Sequence, residues 1–281
     1  GLLAALGLVD VIVAVGGGKA LDAGKAAALR LACPVVTVPT IASTDGPASS
    51  GIAMYDEHHR MVRVDQLASN PAAVIVDSAV IARAPVRFLR AGVGDAIAKK
   101  FEAEGCRAGG GLTKSGARPS PTGLALADAA YRTLRAHAVA GIAAAERHEV
   151  TEDLEATIEA AVLLSALGFE NGGLSIAHSM TRGLTTLRGA RDRLHGEHVA
   201  YGTMAHLAVD EAGPETLADM AQFLREVGLP VTLRELGAAD LSDGEVEAFA
   251  KAVMTSPHIG NLGREVTLER MIAAVRQVET L

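Results

Sequence analysis

The chain has 281 residues, 49% of them hydrophobic, and its 26 Lys and Arg stand against 33 Asp and Glu for a formal net charge of −7. That balance, with no basic block, argues against a nucleic acid or an anionic membrane as the main partner and in favour of a small molecule. The length allows one large domain or two ordinary ones, and two is the expectation. Trp is absent and aromatics make up 3% of the chain, so the core has to be aliphatic and Ala-rich, which suits closely packed helices. Cys33 and Cys106 lack C-x-x-C spacing in a chain too large to need stapling, so reduced thiols and a cytoplasmic setting are expected. No apolar run is long enough to span a bilayer and no charged, apolar leader opens the chain.

Residues 9–15, VDVIVAV, form a short apolar run rich in β-branched side chains, the pattern of a strand buried on both faces of a parallel sheet. Gly16-Gly17-Gly18-Lys19 follows, then a helix with Asp22 and Lys25 near its start. Strand, glycine turn and helix present backbone N–H groups to an anion and let a pyrophosphate approach the main chain. The motif is neither a Walker A loop nor G-x-G-x-x-G, so a ligand-free βα turn stays open as the alternative. A second strand over 34–39 ends in the hydroxyl-rich loop Thr40-Ile41-Ala42-Ser43-Thr44-Asp45, at the sheet edge where ligands collect in open α/β sheets. Asp45 reads either as the start of an Asp-Gly turn or as a contact for a polar substrate. Residues 51–55 and 60–64 read as a hairpin, with solvated His58 and His59 in its turn. The last strand, 73–76, ends at Asp77.

From there the periodicity is helical: 86–89, 95–104, then, after a Gly/Ser/Pro-rich break over 105–121, 122–143, 151–167, 173–185, 195–209, 214–227, 242–254 and 268–278. The class change puts a domain boundary near Arg83, with an α/β domain over 1–83 and an all-helical one over 84–281.

Two histidines of the helical half stand out. His178 lies among small and apolar residues and His195 begins a helix after an Arg-rich turn. Two imidazoles from two helices can share one ion, and Asp95, read at the start of an apolar helix, offers the oxygen donor a divalent transition metal would need. A helix-capping role for Asp95 and a packing role for the histidines are the competing readings. His198 reads as a surface residue; His137, His148, His206 and His258 have no partner at metal spacing.

Taken together, Gly16-Gly17-Gly18-Lys19 with Asp22 and Lys25, the Val38–Asp45 segment, Gly92-Val93-Gly94-Asp95-Ala96, Gly168-Phe169-Glu170-Asn171-Gly172-Gly173 with Ala177-His178, and Leu194-His195-Gly196-Glu197 resemble the glycerol dehydrogenase branch of the iron-containing (group III) alcohol dehydrogenase superfamily. The resemblance implies the dehydroquinate synthase-like architecture, an α/β N-terminal dinucleotide-binding domain followed by an all-α C-terminal domain. It implies NAD, with NADP left open, and a divalent metal, zinc ahead of iron. Residue by residue, it makes Asp95, His178 and His195 the metal ligands, Gly16, Gly17, Gly18, Lys19 and Asp22 the phosphate side of the cofactor site, and Thr40 and Thr44 the nicotinamide side. Asp45 and Phe169 match residues lining the substrate pocket.

Three departures from the family pattern are expected to matter. The opening βαβ part of the cofactor domain is missing, the layout of a partial chain. Arg182 stands where a second histidine commonly follows His178, and Lys99 stands one turn after Asp95, where some members place a fourth ligand; a lysine there would repel an ion unless it points away or is deprotonated. The expected activity is oxidation of a secondary hydroxyl of a small polyol by a homo-oligomer. The alternatives are a phosphorylated-polyol dehydrogenase or dehydroquinate synthase-like lyase using Arg182 and Lys99 on a phosphate, and a truncated, non-catalytic homologue.

Overall fold

The computed structural model describes residues 9–55 and 61–281, so the expected turn with His58 and His59 lies outside the described residues. β1 (Ile12–Gly16) leads into α1 (Gly18–Leu31), β2 (Val35–Pro39), the antiparallel hairpin β3 (Gly51–Tyr55) and β4 (Met61–Gln66), and the short β5 (Ala73–Val74). β1, β2 and β5 form a parallel sheet in that order, with Val15 opposite Val38 and Thr37 opposite Val74.

The first strand corrects the sequence reading. It starts at Ile12, and only one of its faces packs: Ala14 is buried against α1, where Gly24 approaches it. Val13 and Val15 on the opposite face are each 57% exposed. A β-branched run identifies a strand, but it does not say that a second layer covers it.

Beyond β5 the described chain is helical. The elements are α2 (Ser78–Arg83), α3 (Arg87–Ile97), α4 (Lys99–Ala108), α5 (Pro121–Glu146), α6 (Glu152–Glu159), α7 (Ser165–Gly172), α8 (Ile176–Leu184), α9 (His195–Val209), α10 (Pro214–Glu226), α11 (Leu233–Leu236), α12 (Asp243–Val253) and α13 (Leu268–Val278). α2 and α11 went unread, both being too short to show a period. α2 is announced only by its cap, the Asp77 carboxylate accepting from the amides of Ala79 and Val80. Helix α4 runs through Gly105, which the sequence reading placed in a loop, and α8 begins at Ile176 because Gly173, at φ +86°, breaks the chain before it. A π turn, Ala160–Leu164, joins α6 to α7 and resets the face on which the residues after it emerge. No single helix among the described residues is long and apolar enough to cross a membrane.

The core is aliphatic, as the composition required. The long α5 buries Ala127, Ala130, Leu134, Ala138, Ile142, Ala144 and Ala145, and small side chains let its neighbours come close. The closest approach fixes the site. A side chain at Gly196 would lie 1.7 Å from the Ala91 carbonyl oxygen, and one at Gly94 would lie 2.3 Å from that of Gly196, so α3 and the start of α9 touch backbone to backbone. On its other side α3 meets the 40–47 loop, where a side chain at Gly92 would lie 2.1 Å from the Ala42 oxygen. Asp95 follows directly, wedged between that loop and His195. Replacing Gly196 with Ala is therefore expected to separate the two helices and cost about 1–3 kcal/mol or more, read as a lower urea midpoint, whereas Gly244→Ala, with open space around it, leaves the midpoint unchanged or raises it.

Candidate metal centre

Asp95 sits in the last turn of α3, not at a helix start as the sequence suggested, so capping does not explain it. His178 projects from the first turn of α8 and His195 is the first residue of α9. One ligand atom from each of the three lies within 4.8 Å of the others. Asp95 Oδ1 is 3.2 Å from His178 Nε2 and 3.8 Å from His195 Nε2, and the two rings are tilted with centroids 5.4 Å apart.

The orientation of His178 has a specific cause. Its Nδ1 meets Glu102 Oε2 at 2.6 Å, and Glu102 Oε1 accepts the backbone amides of Ser175 and His178, each at 2.9 Å. Glu102 thus holds both the start of α8 and its ring, leaving Nε2 to face Asp95, the carboxylate–histidine arrangement that orients metal ligands. Glu102 was not singled out from the sequence. The signal was present, since Asp95, Lys99 and Glu102 recur at i, i+4 and i+7, three charged groups on one face of otherwise small and apolar helices.

Lys99 enters the same site and does not point away from it. Its side chain is 1% exposed, and Nζ lies 2.8 Å from Asp95 Oδ1, 3.0 Å from His178 Nε2 and 3.2 Å from Asp45 Oδ2. An ammonium has three N–H donors, and here it meets three acceptors. Phe169 covers it, with its ring centroid 5.2 Å from Nζ. Arg182 does not join it, turning instead to Thr255 Oγ1 at 3.5 Å. The Arg182–Lys99 phosphate pair of the alternative reading is therefore not assembled.

Asp45 links this cluster to the strand-bearing part. Its amide approaches Asp95 Oδ2 at 3.4 Å, and its own Oδ2 accepts from Ser165 Oγ at 2.8 Å, immediately after the π turn. The loop that carries it is held by Lys25, buried and bonded to the carbonyls of Gly46 and Gly51. Asp22, expected on the cofactor, lies 3.9 Å from Lys25 Nζ. Gly16 accepts the Thr40 amide at 3.0 Å, so the glycine turn and the hydroxyl-rich loop adjoin. Gly17 caps α1 without a side-chain bond, Lys19 is exposed, and Thr44 Oγ1 accepts the Gly46 amide within its own turn. His198, read as a surface residue, is buried with Nε2 bonded to the Ala190 carbonyl at 2.8 Å.

Electrostatics follow from burial and partners. Burial would raise the Asp95 carboxyl, but Lys99 and the histidines around it outweigh that and hold it well below its ordinary value. Burial dominates at Asp45 and lifts its carboxyl, with Lys99 pulling back. Glu102 overcomes burial through His178 and Lys99 and titrates at about 2. Dehydration, opposed by Asp95, lowers His195 to about 4, although 43% of its side chain still reaches solvent. For His178, burial works against charge and Glu102 pulls the other way. The 3.0 Å contact with Nζ decides for the neutral ring, because two N–H donors cannot face each other. Lys99, despite burial, is raised by Asp45 and Asp95 and stays an ammonium.

Two imidazole nitrogens and one carboxylate make a donor set suited to a divalent transition metal, and the backbone contacts around Asp95 and Glu102 preset its geometry. A parallel βα sheet with a glycine turn at its edge and a three-ligand cluster among helices are together the parts of a metal-dependent enzyme with a nucleotide-type anion site. Residues 2–85 match the iron-containing alcohol dehydrogenase family model. The chain is 42% identical over 271 residues to a glycerol dehydrogenase of Thermotoga maritima, covering 96% of this chain and 74% of that one. It is 41% identical over 243 residues to a glycolaldehyde reductase of Halobacterium salinarum, covering 86% and 67%. The crystal structure of a glycerol dehydrogenase from Schizosaccharomyces pombe superposes with a TM-score of 0.93 at 34% identity, over 99% of this chain and 72% of that one. The chain belongs to the iron-containing alcohol dehydrogenase family.

The shifts give a pH prediction for the metal-free protein. His195 takes its proton near 6.5 when unfolded and about 4 when folded, so stability falls as pH drops through that window. Glu102 titrates near 4.5 unfolded and about 2 folded, so its contribution is present above 4.5 and lost as pH falls toward 2. Urea midpoints measured in chelator should therefore decline from pH 7 downward, His195→Asn flattening the upper limb and Glu102→Gln the lower.

Proposed function

We propose that the chain carries out metal-dependent, NAD-linked oxidation of a secondary hydroxyl on a small polyol, of the glycerol-to-dihydroxyacetone type. The observation that carries this reading is the meeting of Asp95, His178 Nε2 and His195 Nε2 within 4.8 Å beside the buried carboxylate of Asp45. The relatives named glycerol dehydrogenase and glycolaldehyde reductase support a substrate with neighbouring oxygens. On this reading residues 1–83 are part of the dinucleotide-binding domain and 84–281 the helical catalytic domain. Asp95, His178 and His195 would hold the metal, zinc ahead of iron. Gly16, Gly17, Gly18, Lys19 and Asp22 would lie on the phosphate side of the cofactor, with Thr40 and Thr44 toward the nicotinamide.

When bound, the metal supplies Lewis acidity that lowers the pKa of a substrate hydroxyl, and NAD supplies the hydride acceptor. The chain's own groups do the rest. Asp45 accepts hydrogen bonds from the polyol and fixes which hydroxyl faces the centre, Ser165 and Lys99 hold that carboxylate in place, and Phe169 walls the pocket and excludes water. Glu102 keeps the His178 ring aimed through Nδ1.

NADH formation from glycerol, with glycerol phosphate as the comparison, tests the substrate class in the zinc-loaded protein. Glycerol is expected to turn over and glycerol phosphate not; the reverse order, or no heat on calorimetric titration with NAD, overturns the proposal. Asp45→Asn should lower kcat/KM for glycerol about 10- to 100-fold, the loss of one charge-assisted hydrogen bond.

A further inference from the structure

The proposed metal ligands already have a cation among them, and it belongs to the chain. Lys99 Nζ donates to Asp95 Oδ1 at 2.8 Å and to His178 Nε2 at 3.0 Å, the two atoms that the reading above gives to the metal, and to Asp45 Oδ2 at 3.2 Å, which it does not. Two positive groups cannot use one lone pair on Nε2, so a metal at this point has to take both bonds from the ammonium. Asp45 remains to receive it: the carboxylate is buried and within hydrogen-bond distance, and its Oδ2 also accepts from Ser165 Oγ. The α4 backbone need not move, because a lysine side chain has four rotatable bonds and its Nζ is already between the two carboxylates.

We propose that Lys99 is a tethered counter-cation: it occupies Asp95 and His178 in the metal-free protein, yields them when the metal binds, and is then retained by Asp45. This rests on Asp95, His178 and His195 being the metal site. Without Lys99, Asp45, Asp95 and Glu102 would be three buried carboxylates with no ammonium among them, so the ammonium preserves the geometry of the ligands while it competes for them. The arrangement trades metal affinity for an ordered metal-free site.

Zinc affinity, measured by competition with a chromogenic chelator, tests this without reference to turnover. Lys99→Gln is expected to bind zinc more tightly by about 10- to 100-fold, the scale on which groups around a ligand set move metal affinity. Its melting temperature in chelator should be lower than that of the parent, and its rise on adding zinc larger. Lys100→Gln, which removes the same charge one residue on from a side chain paired outward with Glu104, should leave zinc affinity unchanged. Should Lys99→Gln not fold in chelator, refolding it with zinc present and withdrawing the metal with graded chelator gives the same constant. A second arm uses Asp45: Asp45→Asn should weaken zinc binding more in the parent than in the Lys99→Gln background, because only the parent has an ammonium to rehouse. Zinc bound by the parent but no more tightly by Lys99→Gln, or an equal Asp45→Asn effect in both backgrounds, overturns the inference alone. Zinc taken up by neither protein overturns the metal site and the inference with it.

Discussion

Asp95 keeps a full negative charge where only 1% of the residue reaches solvent, and the rest of the site follows from that requirement. An ionised carboxylate cannot stay buried unless cations and donors surround it. Lys99, one helical turn on, supplies the charge at Oδ1, the Asp45 amide approaches Oδ2, and His195 Nε2 stands 3.8 Å from Oδ1. Breaking one member of such a set leaves the others buried without a partner, which is why the cluster behaves as a unit and not as a sum of pairs.

The cluster exists only because three stretches of main chain come closer than ordinary side chains permit. Gly92, Gly94 and Gly196 remove the Cβ atoms that would keep α3 from the 40–47 loop and from α9. Glycine inside a helix costs about 0.5–1 kcal/mol relative to alanine, so these positions are explained by what they bring together and not by helix propensity. The π turn before Ser165 has the same logic: it interrupts a regular helix and delivers a hydroxyl to Asp45.

The helices from 121 onward, except the four-residue α11, were legible in the sequence because long amphipathic segments repeat their pattern several times, and the glycine turn and the two strands beside it because β-branched runs ended in turn residues. Asp95, His178 and His195 were legible as residue types among small neighbours, and the family resemblance implied that they converge, as they do; the helical pattern alone could not show it, since it says nothing about which backbone a helix touches. Asp95 was misplaced at a helix start because α3 and α4 meet at Ala98 with little loss of helical geometry, leaving no turn residue to mark the junction. His198 was read as exposed because an imidazole satisfied by a carbonyl, here that of Ala190, has no sequence signature. The exposed face of β1 was unreadable for a related reason: composition reports that a strand is apolar, while burial depends on what lies across from it.

Near the site, one loop ties the strand-bearing part of the chain to the helical part. Residues 45–51 are gripped from the strand side by Lys25, whose Nζ takes the carbonyls of Gly46 and Gly51, and by Thr37, whose hydroxyl takes the Pro47 carbonyl at 2.8 Å. From the helical side Glu170 accepts the Ser50 amide and hydroxyl at 2.8 and 2.7 Å and the Asn70 side chain at 2.6 Å, while Ser165 takes Asp45. A loop held on both sides by buried polar bonds has little freedom to drift, so the distance from the glycine turn to Asp95 is set by the same contacts that set the distance from Asp45 to Lys99. On the proposed reading an alcohol carbon would face a hydride acceptor and a cation at once, and one segment held from both sides would serve as a wall of both.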